Sequence, residues 1–473
     1  MAPTTVSATL ELDDIQGLLA RGYGNLKAAR FLLLGINDAA EASRWLAGVA
    51  GLLTSAERRP ERVAVNLAFT AEGLGRLGLP SDAIRGFSFE FRDGMTSSHR
   101  SRVLGDLEDN VPERWAWGSP STGSIDMLLL LYARTAHELE VLIADLNRER
   151  AGVSEVATLD TASLTDREHF GFHDGVSQPA IEGLGRAGSP SNTIRAGEFI
   201  LGYPNEYGLL ADSPTLDPSA DPSGLLPPSP RGNGGADLGR NGSYLVVRQL
   251  AQDVPGFWSF VNRAAMALGR DGNDGNPIEL AAKMMGRWPS GAPLVSSPDR
   301  DDPEQSDFND FAYHHLDPHG HRCPKGSHVR RAHPRDSLDP DPGSDKSIAI
   351  GKRHRILRRG RQFGSWVSPL AGAGDGAPGD GERGLYFMCL NANLARQFEF
   401  VQHTWVNNSM FDGLYDDSDP VVATRSKSGR SFSLPAAPVR QRVTGVPTFV
   451  TVRGGAYFFL PGIRAVRYLA SLA

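Results

Sequence analysis

The sequence predicts an α+β protein with two core-forming units. Its 473 residues exceed the roughly 250–300 residues at which a single hydrophobic core stops growing. Strand-like and helix-like patterns alternate on a short scale in both halves of the chain, which is typical of sheets covered by helices. We therefore predict a four-stranded sheet with helices in each unit, with the units at residues 1–165 and 166–473 and long loops in the second.

The first unit contains three strand-like runs and two helical patterns. The strand-like runs lie at residues 31–36, 62–70 and 125–133, and the helical patterns at 41–53 and 137–150. Thr135 precedes the second helical pattern and Glu138 follows three residues later, as in a capping box. This order favours a sheet that carries its helices on one face.

The second unit repeats this arrangement. Strand-like runs lie at residues 197–204, 243–250 and 384–392, and helical patterns at 254–268, after Asp253, and at 394–406, after Asn393. Four apolar residues of the last pattern form one stripe, which predicts a face packed in the core. They are Leu394, Phe398, Val401 and Trp405. Residues 448–463 are typical of a hairpin that turns at Gly454 and Gly455.

The composition indicates a soluble globular protein without a nucleic-acid or membrane partner. Hydrophobic residues make up 40% of the chain and charged residues 22%. The formal net charge of -6 provides no positive field for a phosphate backbone. The N-terminal residues lack the features of an export signal, and the apolar run at 31–36 is too short to span a bilayer. We expect a cytoplasmic protein, or one secreted by a route not visible in the sequence, with homo-oligomerisation left open.

Histidines are concentrated in one part of the chain. Seven of the twelve lie between residues 314 and 354: His314, His315, His319, His321, His328, His333 and His354. Beside Cys323 they permit a zinc site, because imidazole and thiolate are the usual zinc ligands. The segment has no paired Cys-x-x-Cys spacing, however, and a hydrophilic loop explains most of these histidines. We retain His328 as a ligand candidate.

His328 differs from its neighbours in its setting. It lies in the segment GSHVRRAHPR, which a glycine and a serine introduce and a proline follows. Such a short segment presents one imidazole rigidly, and imidazole is a common axial ligand of haem iron. Arg330, Arg331 and Arg335 supply cations that can meet the propionates of a haem. The segment alone leaves a haem ligand, a zinc ligand and an ordinary loop histidine open.

Two further segments contain candidate residues. GFHDG holds Asp174 in the pattern G-x-x-D-G, which is a weak signal alone because the chain has 53 glycines and because aspartate commonly caps a turn. Arg358 lies in the segment HRILRRGRQFG, where cations alternate with apolar residues. Its fixed charge would enter apolar surroundings, which is costly unless an anion binds there. The other arginines in this segment, and Arg353 just before it, are expected to be solvated on a surface strand: Arg355, Arg359 and Arg361.

Together and in this order, the three segments resemble those of the dye-decolourising peroxidases, a family of haem enzymes. GFHDG is similar to the distal-aspartate motif, SHVRRAHPR to the proximal-histidine segment, and RILRRGRQFG to the distal-arginine segment. The similarity continues at residues 12–17, 196–206, 397–408 and 452–462. It therefore covers nearly the whole chain.

The resemblance implies two ferredoxin-like units, each with a four-stranded antiparallel sheet and peripheral helices, and a heme b mainly in the C-terminal unit. It implies that hydrogen peroxide is reduced and that dyes, phenols and other aromatic donors are oxidised through high-valent iron intermediates. His328 would be the axial ligand of the iron, with Asp174 and Arg358 on the opposite side. Asp174 would move a proton between the peroxide oxygens, and Arg358 would stabilise the charge that develops as the O–O bond breaks.

The remaining assignments also follow from the resemblance. An acidic partner on the other ring nitrogen would make His328 more basic, and Glu399 is the candidate. Leu385 and Phe387 lie two apart on a strand and would wall the pocket, while Arg330 would contact the cofactor. Trp366 and Trp405 are candidate electron relays from a surface site, although core packing explains both.

Two other interpretations of the sequence stay open. A haem-binding or haem-processing protein without peroxidase turnover would need His328 but not the pair of Asp174 and Arg358. A zinc-dependent hydrolase would use the histidine-rich segment instead.

Overall fold

The computed structural model describes residues 9–269, 275–367, 381–424 and 430–472. Its centre is a nine-stranded sheet in which all paired strands are antiparallel. The strands are β1 (Ala28–Ile36), β2 (Val63–Phe69), β3 (Met127–Ala133), β4 (Val153–Asp160), β5 (Ser243–Gln252), β6 (Leu357–Arg358), β7 (Arg361–Phe363), β8 (Gly384–Asn391) and β9 (Val450–Leu460).

The strand order divides the sheet into two similar halves. The complete order is β6, β8, β5, β9, β2, β3, β1, β4, with β7 also paired to β8. In the first half, β1 lies between β4 and β3, and β2 lies on the far side of β3. In the second half, β5 lies in the same way between β9 and β8, and β6 and β7 lie on the far side of β8. This is the ferredoxin-like arrangement, so the predicted fold is confirmed. The halves join where Phe459 of β9 pairs with Phe69 of β2.

Two helices cover one face of the first half: α1 (Ala39–Ala50) and α2 (Ala136–Arg148). Both begin at a side-chain cap, since the side chains of Asp38 and Thr135 accept hydrogen bonds from backbone N–H groups of the first turn. Each helix buries one apolar stripe, and Trp45 and Leu139 belong to the same core cluster. Burying each large side chain stabilises the fold by about 1.5–3 kcal/mol.

The second half carries α3 (Val254–Leu268) after β5, and then α4 (Pro277–Met285) and the short α5 (His328–Ala332). The other α-helices are Gly17–Ala20, Ala71–Arg76, Ser81–Arg85, Phe89–Asp93, Ser98–Leu104, Tyr313–Leu316, Asp345–Lys352 and Ile463–Leu469. Small strand pairs form between Ala180–Ile181 and Thr193–Ile194, Thr215–Leu216 and Ala236–Asp237, and Arg430–Leu434 and Gln441–Val446. Within the described ranges, no helix is both long and apolar enough to cross a membrane.

The helix predicted at residues 394–406 forms at that place with a wider winding. Ala395–Glu399 and Val401–Val406 are π-helical, and we call residues 395–406 the π-helical segment. All four residues of the predicted apolar stripe are buried, so the core-facing side was predicted correctly. Apolar spacing does not distinguish the two windings, because both place residues three to five apart on one face.

Two predicted elements are wrong. Residues 197–204 do not form a strand: their apolar side chains are buried, but Phe199 and Ile200 both donate backbone hydrogen bonds to the carbonyl of Ala196, which winds the chain into turns. Residues 448–463 do not form a hairpin, because β9 runs straight through Gly454 and Gly455. A shift of pairing between Val452 and Gly454 accommodates one extra residue as a bulge.

Gly454, at this bulge, must be a glycine because the ring of Trp117 leaves no room for a side chain. A Cβ at Gly454 would lie 2.4 Å from Cε2 of Trp117. Gly454→Ala is therefore expected to lower the free energy of unfolding by about 1–3 kcal/mol in a denaturant titration, the usual cost of overpacking. Gly24→Ala is the matched control, because a Cβ there meets no heavy atom within 4 Å. Equal stability of the two variants would contradict the packing of Trp117 on the bulge.

Candidate active site

A cavity lies against the sheet of the second half. Strands β5, β8 and β9 contribute apolar side chains to one wall: Leu250, Leu385, Phe387, Val450 and Val452. Helices α4 and α5 and the π-helical segment contribute Met285, Val329, Phe398 and Val401. Apolar walls of this extent suit a large apolar cofactor.

The structure brings together the sequence-predicted residues His328, Asp174 and Arg358, since all three line this cavity. Leu385 and Phe387, which lie two apart on β8, also line this cavity. Their roles in binding or catalysis are treated below as proposals.

Asp174 lies on a tight loop that two glycines make possible. Gly171 and Gly175 have φ values of +99° and +88°, which side chains with a Cβ rarely adopt. The backbone N–H of Asp174 donates to the carbonyl of Asp166 at 3.0 Å, and the N–H of Gly175 donates to Oδ1 of Asp174 at 2.6 Å. The two glycines of the G-x-x-D-G pattern thus orient the carboxylate into the cavity.

Arg358 forms an ion pair with Asp174. Nη1 of Arg358 lies 2.8 Å from Oδ1 of Asp174, and the side chains are 29% and 38% exposed, because both face the cavity. The backbone of Arg358 is fixed on β6 opposite Cys389, and its N–H donates to Oε1 of Gln178. Burial opposes ionisation of Asp174, but the charge and hydrogen bond of Arg358 outweigh burial and hold its pKa below the ordinary value. Asp174 is therefore a carboxylate in the resting site.

His328 begins α5 and has one ring nitrogen engaged. Its Nδ1 lies 2.8 Å from Oδ2 of Asp419, while Oδ1 of Asp419 accepts hydrogen bonds from the backbone N–H groups of Val421 and Val422. Burial lowers the pKa of His328, but the charge and hydrogen bond of Asp419 raise it above the ordinary value. Asp419 leaves Nε2 as the ring nitrogen for a ligand and fixes the orientation of the imidazole.

Glu399 was the wrong choice for the acidic partner. Its carboxylate accepts hydrogen bonds from Nη1 of Arg100 at 2.6 Å and from the hydroxyl of Tyr457 at 2.9 Å. It therefore joins the π-helical segment to the first unit. The true partner, Asp419, lies 91 residues after His328, and no periodic pattern relates the two positions.

Two buried arginines and a neutral histidine, whose pKa burial and the nearby arginine charges hold well below its ordinary value, form another part of the wall. Arg355, Arg287 and His333 line the cavity, and none of the three pairs with a carboxylate among the described residues. Nη1 of Arg355 contacts Nε2 of His333 at 3.0 Å, and Nδ1 of His333 and Nε of Arg287 are buried without a hydrogen-bond partner in the described chain. Burial and the charges of Arg335 and Arg358 lower the pKa of Arg355 to about 9. Such a wall favours an anionic group.

The prediction that Arg355 and its neighbours are solvated is wrong. Arg355 and Arg361 are 5% and 1% exposed, and Arg359 donates to the carbonyls of Leu18 and Leu19. Arg353 lies against the ring of Tyr207. Buried carbonyl groups supply acceptors here, and sequence spacing does not show them.

The three arginines that follow His328 do not line the cavity. Arg330 is fully buried, donates to Asp317 and to the carbonyl of Cys323, and lies over the ring of Tyr313. The prediction that it contacts the cofactor is therefore wrong. Arg331 donates to carbonyls that include those of Gly326 and Trp405, and Arg335 donates to the carbonyls of Asn309 and Phe311. These cations hold loops in place around α5.

The other chemical candidates of the sequence are dispersed. Trp366 is 45% exposed and stacks on His169, while Trp405 is buried against His354 and Phe400. Among the residues that the structure describes, no group of three or more histidine, cysteine, aspartate or glutamate side chains could hold a metal ion. The histidine-rich segment, as described, thus does not form the zinc site that the sequence had left open.

Asp419 provides a direct test of how His328 is oriented. Asp419→Asn would place an amide group where a carboxylate now accepts from Nδ1. Since partners of ligating histidines are usually worth 10–100-fold in metal affinity or activity, we expect a loss of about that size in cofactor-dependent turnover. Glu399→Gln is the matched control, and its turnover is expected to change much less. Unchanged turnover of Asp419→Asn would contradict the orienting role.

These features define a class of protein with two ferredoxin-like units, the second of which carries an apolar cavity lined by a histidine, its carboxylate partner lying behind it, and by a carboxylate–arginine pair. The family model "Dyp-type peroxidase, C-terminal" matches residues 231–424. The chain is 31% identical to the dye-decolorizing peroxidase of Exidia glandulosa, with 97% of this chain and 87% of the relative covered. It is 30% identical to that of Mycena epipterygia, with 98% and 87% covered.

Solved structures agree with these sequence matches. The crystal structure of a dye-decolorizing peroxidase from Auricularia auricula-judae superposes with a TM-score of 0.79 at 26% identity, covering 98% of this chain and 100% of that one. The chain belongs to the dye-decolorizing peroxidase family. It is a peroxidase that oxidises dyes, and its family consists of haem enzymes.

Proposed function

We propose that this peroxidase uses heme b, which the cavity would hold with Nε2 of His328 binding its iron. The observation that carries the proposal is that His328, oriented by Asp419, shares one cavity with the ion pair of Asp174 and Arg358. When bound, the haem supplies the iron at which peroxide is reduced and at which oxidising equivalents are held.

The residues of the cavity fit this cofactor. Apolar side chains of the sheet and of the π-helical segment suit the two faces of a porphyrin, with Leu385 and Phe387 in the wall. Arg355, Arg287 and His333 lack carboxylate partners in the described chain and suit the two propionates. Burying the guanidinium groups of Arg355 and Arg287 without an anion would be costly, so the fit rests on charge as well as on shape.

The ion pair performs the peroxide chemistry. Asp174, as a carboxylate, accepts a proton from hydrogen peroxide and returns it to the departing oxygen, so that this oxygen leaves as water. Arg358 holds a positive charge at the place where negative charge develops during cleavage of the O–O bond. Phe387 and Leu385 keep bulky molecules away from this place. Dyes, phenols and other aromatic compounds are the proposed reductants.

The cofactor can be identified directly. The purified, haem-loaded protein is expected to release iron protoporphyrin IX on acid extraction, in a ratio of one per chain, and to bleach an anthraquinone dye only when hydrogen peroxide is present. Recovery of a covalently attached or chemically different haem would contradict heme b. Stoichiometric haem without peroxide-dependent bleaching would contradict the proposed role of the cavity.

A further inference from the structure

A second carboxylic acid, Glu168, lines the same cavity. Oε1 accepts a hydrogen bond from the N–H of Phe172 at 3.0 Å, and Oε2 accepts from the N–H of Phe170 and from Nε2 of Gln252, both at 2.8 Å. All of these donors are neutral, and Glu168 forms no ion pair within the described ranges. A carboxyl group in a low-dielectric wall without a cation is costly to ionise.

Glu168 and Asp174 belong to one compact loop. The N–H of Glu168 donates to the carbonyl of Phe172 at 3.0 Å, and the N–H of Asp174 donates to the carbonyl of Asp166 at 3.0 Å, so the two arms of the loop run side by side. The backbones of Arg167 and His173 pair in an antiparallel β-bridge between these arms. The loop thus presents two carboxyl side chains to one cavity.

The charged groups around Glu168 do not favour its ionisation. Those on its own loop are Asp166, Arg167, His169, His173 and Asp174. Arg358 of β6, and Arg248 of β5 paired with Asp106, line the same cavity. The guanidinium of Arg167 is engaged by the carbonyl of Gly171, the ring of His169 by the carbonyl of Phe363, and the guanidinium of Arg358 by Asp174. Burial, with a smaller contribution from the charge of Asp174, raises the pKa of Glu168 to about 7 although its hydrogen bonds lower it.

The side-chain amide of Gln252 can form a hydrogen bond with either the ionised or the neutral carboxyl group of Glu168. Its Nε2 donates to Glu168, while its Oε1 is buried without a hydrogen-bond partner among the described residues. Rotating the amide by half a turn exchanges the two atoms. The amide oxygen of Gln252 would then accept a hydrogen bond from the O–H of a neutral Glu168.

We propose that Glu168 stores a proton for the peroxide site and passes it to Asp174 during turnover. The inference rests on the proposed function. Reducing one hydrogen peroxide to two waters consumes two electrons, which the aromatic donors supply, and two protons. The peroxide's own proton, moved by Asp174, completes the first water, so both consumed protons go to the second oxygen as it is reduced to water. One of them leaves the carboxyl of Glu168, reaches that oxygen through Asp174, and is replaced from solvent; solvent supplies the other. Two neighbouring carboxyl groups with different proton affinities are the usual means of dividing such work.

The first test measures the proton itself and needs neither peroxide nor a dye. Infrared difference spectra of the folded protein between pH about 6 and about 8, which bracket the pKa of Glu168, should show the C=O stretch of a protonated carboxylic acid disappear as pH rises. This band should be absent from Glu168→Gln and present, with a shifted midpoint, in Glu168→Asp. A wild-type difference spectrum identical to that of Glu168→Gln would overturn the proposal.

The second test follows turnover of the haem-loaded enzyme against pH. In the wild type, peroxide-dependent dye oxidation should fall as pH rises through about 7, because Glu168 loses its proton. Glu168→Gln should be slower by about tenfold or more at pH about 6 and should lose this alkaline limb. Glu168→Asp should restore part of the rate and the limb, which a role confined to holding the loop would not predict.

The two proposals fail in different ways. A wild-type enzyme that turns over while Glu168→Gln keeps the same rate and pH profile would overturn the proton store and leave the peroxidase site intact. An unchanged turnover rate in both Asp174→Asn and Arg358→Ala would overturn the proposed peroxidase site itself. If Glu168→Gln does not fold, the infrared band and shifted alkaline limb of Glu168→Asp decide the question.

Discussion

Asp174→Asn is expected to lower the rate of peroxide-dependent dye oxidation by about 10²–10⁴-fold, the usual contribution of a general base. The amide keeps the shape of the side chain and can still accept the hydrogen bond from Gly175. It cannot take a proton from hydrogen peroxide, however. Steady-state rates of the haem-loaded wild type and variant measure the loss, and haem content should be equal in both.

The pKa of Asp174 determines in which direction the rate changes with pH. Arg358 outweighs the effect of burial and holds the pKa of Asp174 below its ordinary value, so the active carboxylate persists to acidic pH. On the acid side, the wild-type rate should stay constant until pH drops below about 4, where an ordinary aspartate is half protonated. Full activity of Asp174→Asn at every pH would refute the assignment.

Arg358→Ala is expected to lower the same rate by about 10²–10³-fold while haem stays bound, since a positioned charge at a developing anion contributes about that much. Removal of the guanidinium also deprives Asp174 of its main cationic partner. The acid limb of the pH profile should therefore move to higher pH.

Arg353→Ala is the matched control for this variant. Arg353 lies against Tyr207 and does not line the cavity, so the rate should be nearly unchanged. Equal rates for wild type and Arg358→Ala, with haem bound in both, would show that the guanidinium does not act in peroxide cleavage.

Local sequence patterns predicted the parts of the site that depend on the backbone nearby. The glycines of G-x-x-D-G are needed because the loop passes twice through positive φ at Gly171 and Gly175. Leu385 and Phe387 share a wall because side chains alternate along a strand. The alternation of strands and helices in both halves likewise follows from short runs along the chain, whereas the ferredoxin-like arrangement was implied by the resemblance to the family.

Long-range partners could not be predicted in this way. Asp419 reaches His328 across 91 residues, and only the folded chain shows that Glu399 is instead held by Arg100 and Tyr457. Arg355 and Arg330 have the same charge and similar neighbours in sequence, yet one lines the cavity and the other is held by Asp317. The difference arises from which carbonyl and carboxyl groups the fold brings near each guanidinium.

The predicted hairpin failed for a related reason. A pair of glycines between apolar runs is typical of a tight turn, but Gly454 is required here by the ring of Trp117, and Gly455 lies close to Met95. Both neighbours come from the first unit. Contacts between units leave no trace in the local pattern.

The absorption spectrum of the haem-supplemented protein, wild type beside His328→Ala, tests the central claim most directly. We expect the wild type to bind one haem per chain with the spectrum of histidine-ligated iron, and His328→Ala to lose that ligation and to regain it when free imidazole is added. His315→Ala, in the same histidine-rich segment but outside the cavity lining, should resemble the wild type. A colourless wild-type protein, or identical spectra for wild type and His328→Ala, would contradict the account.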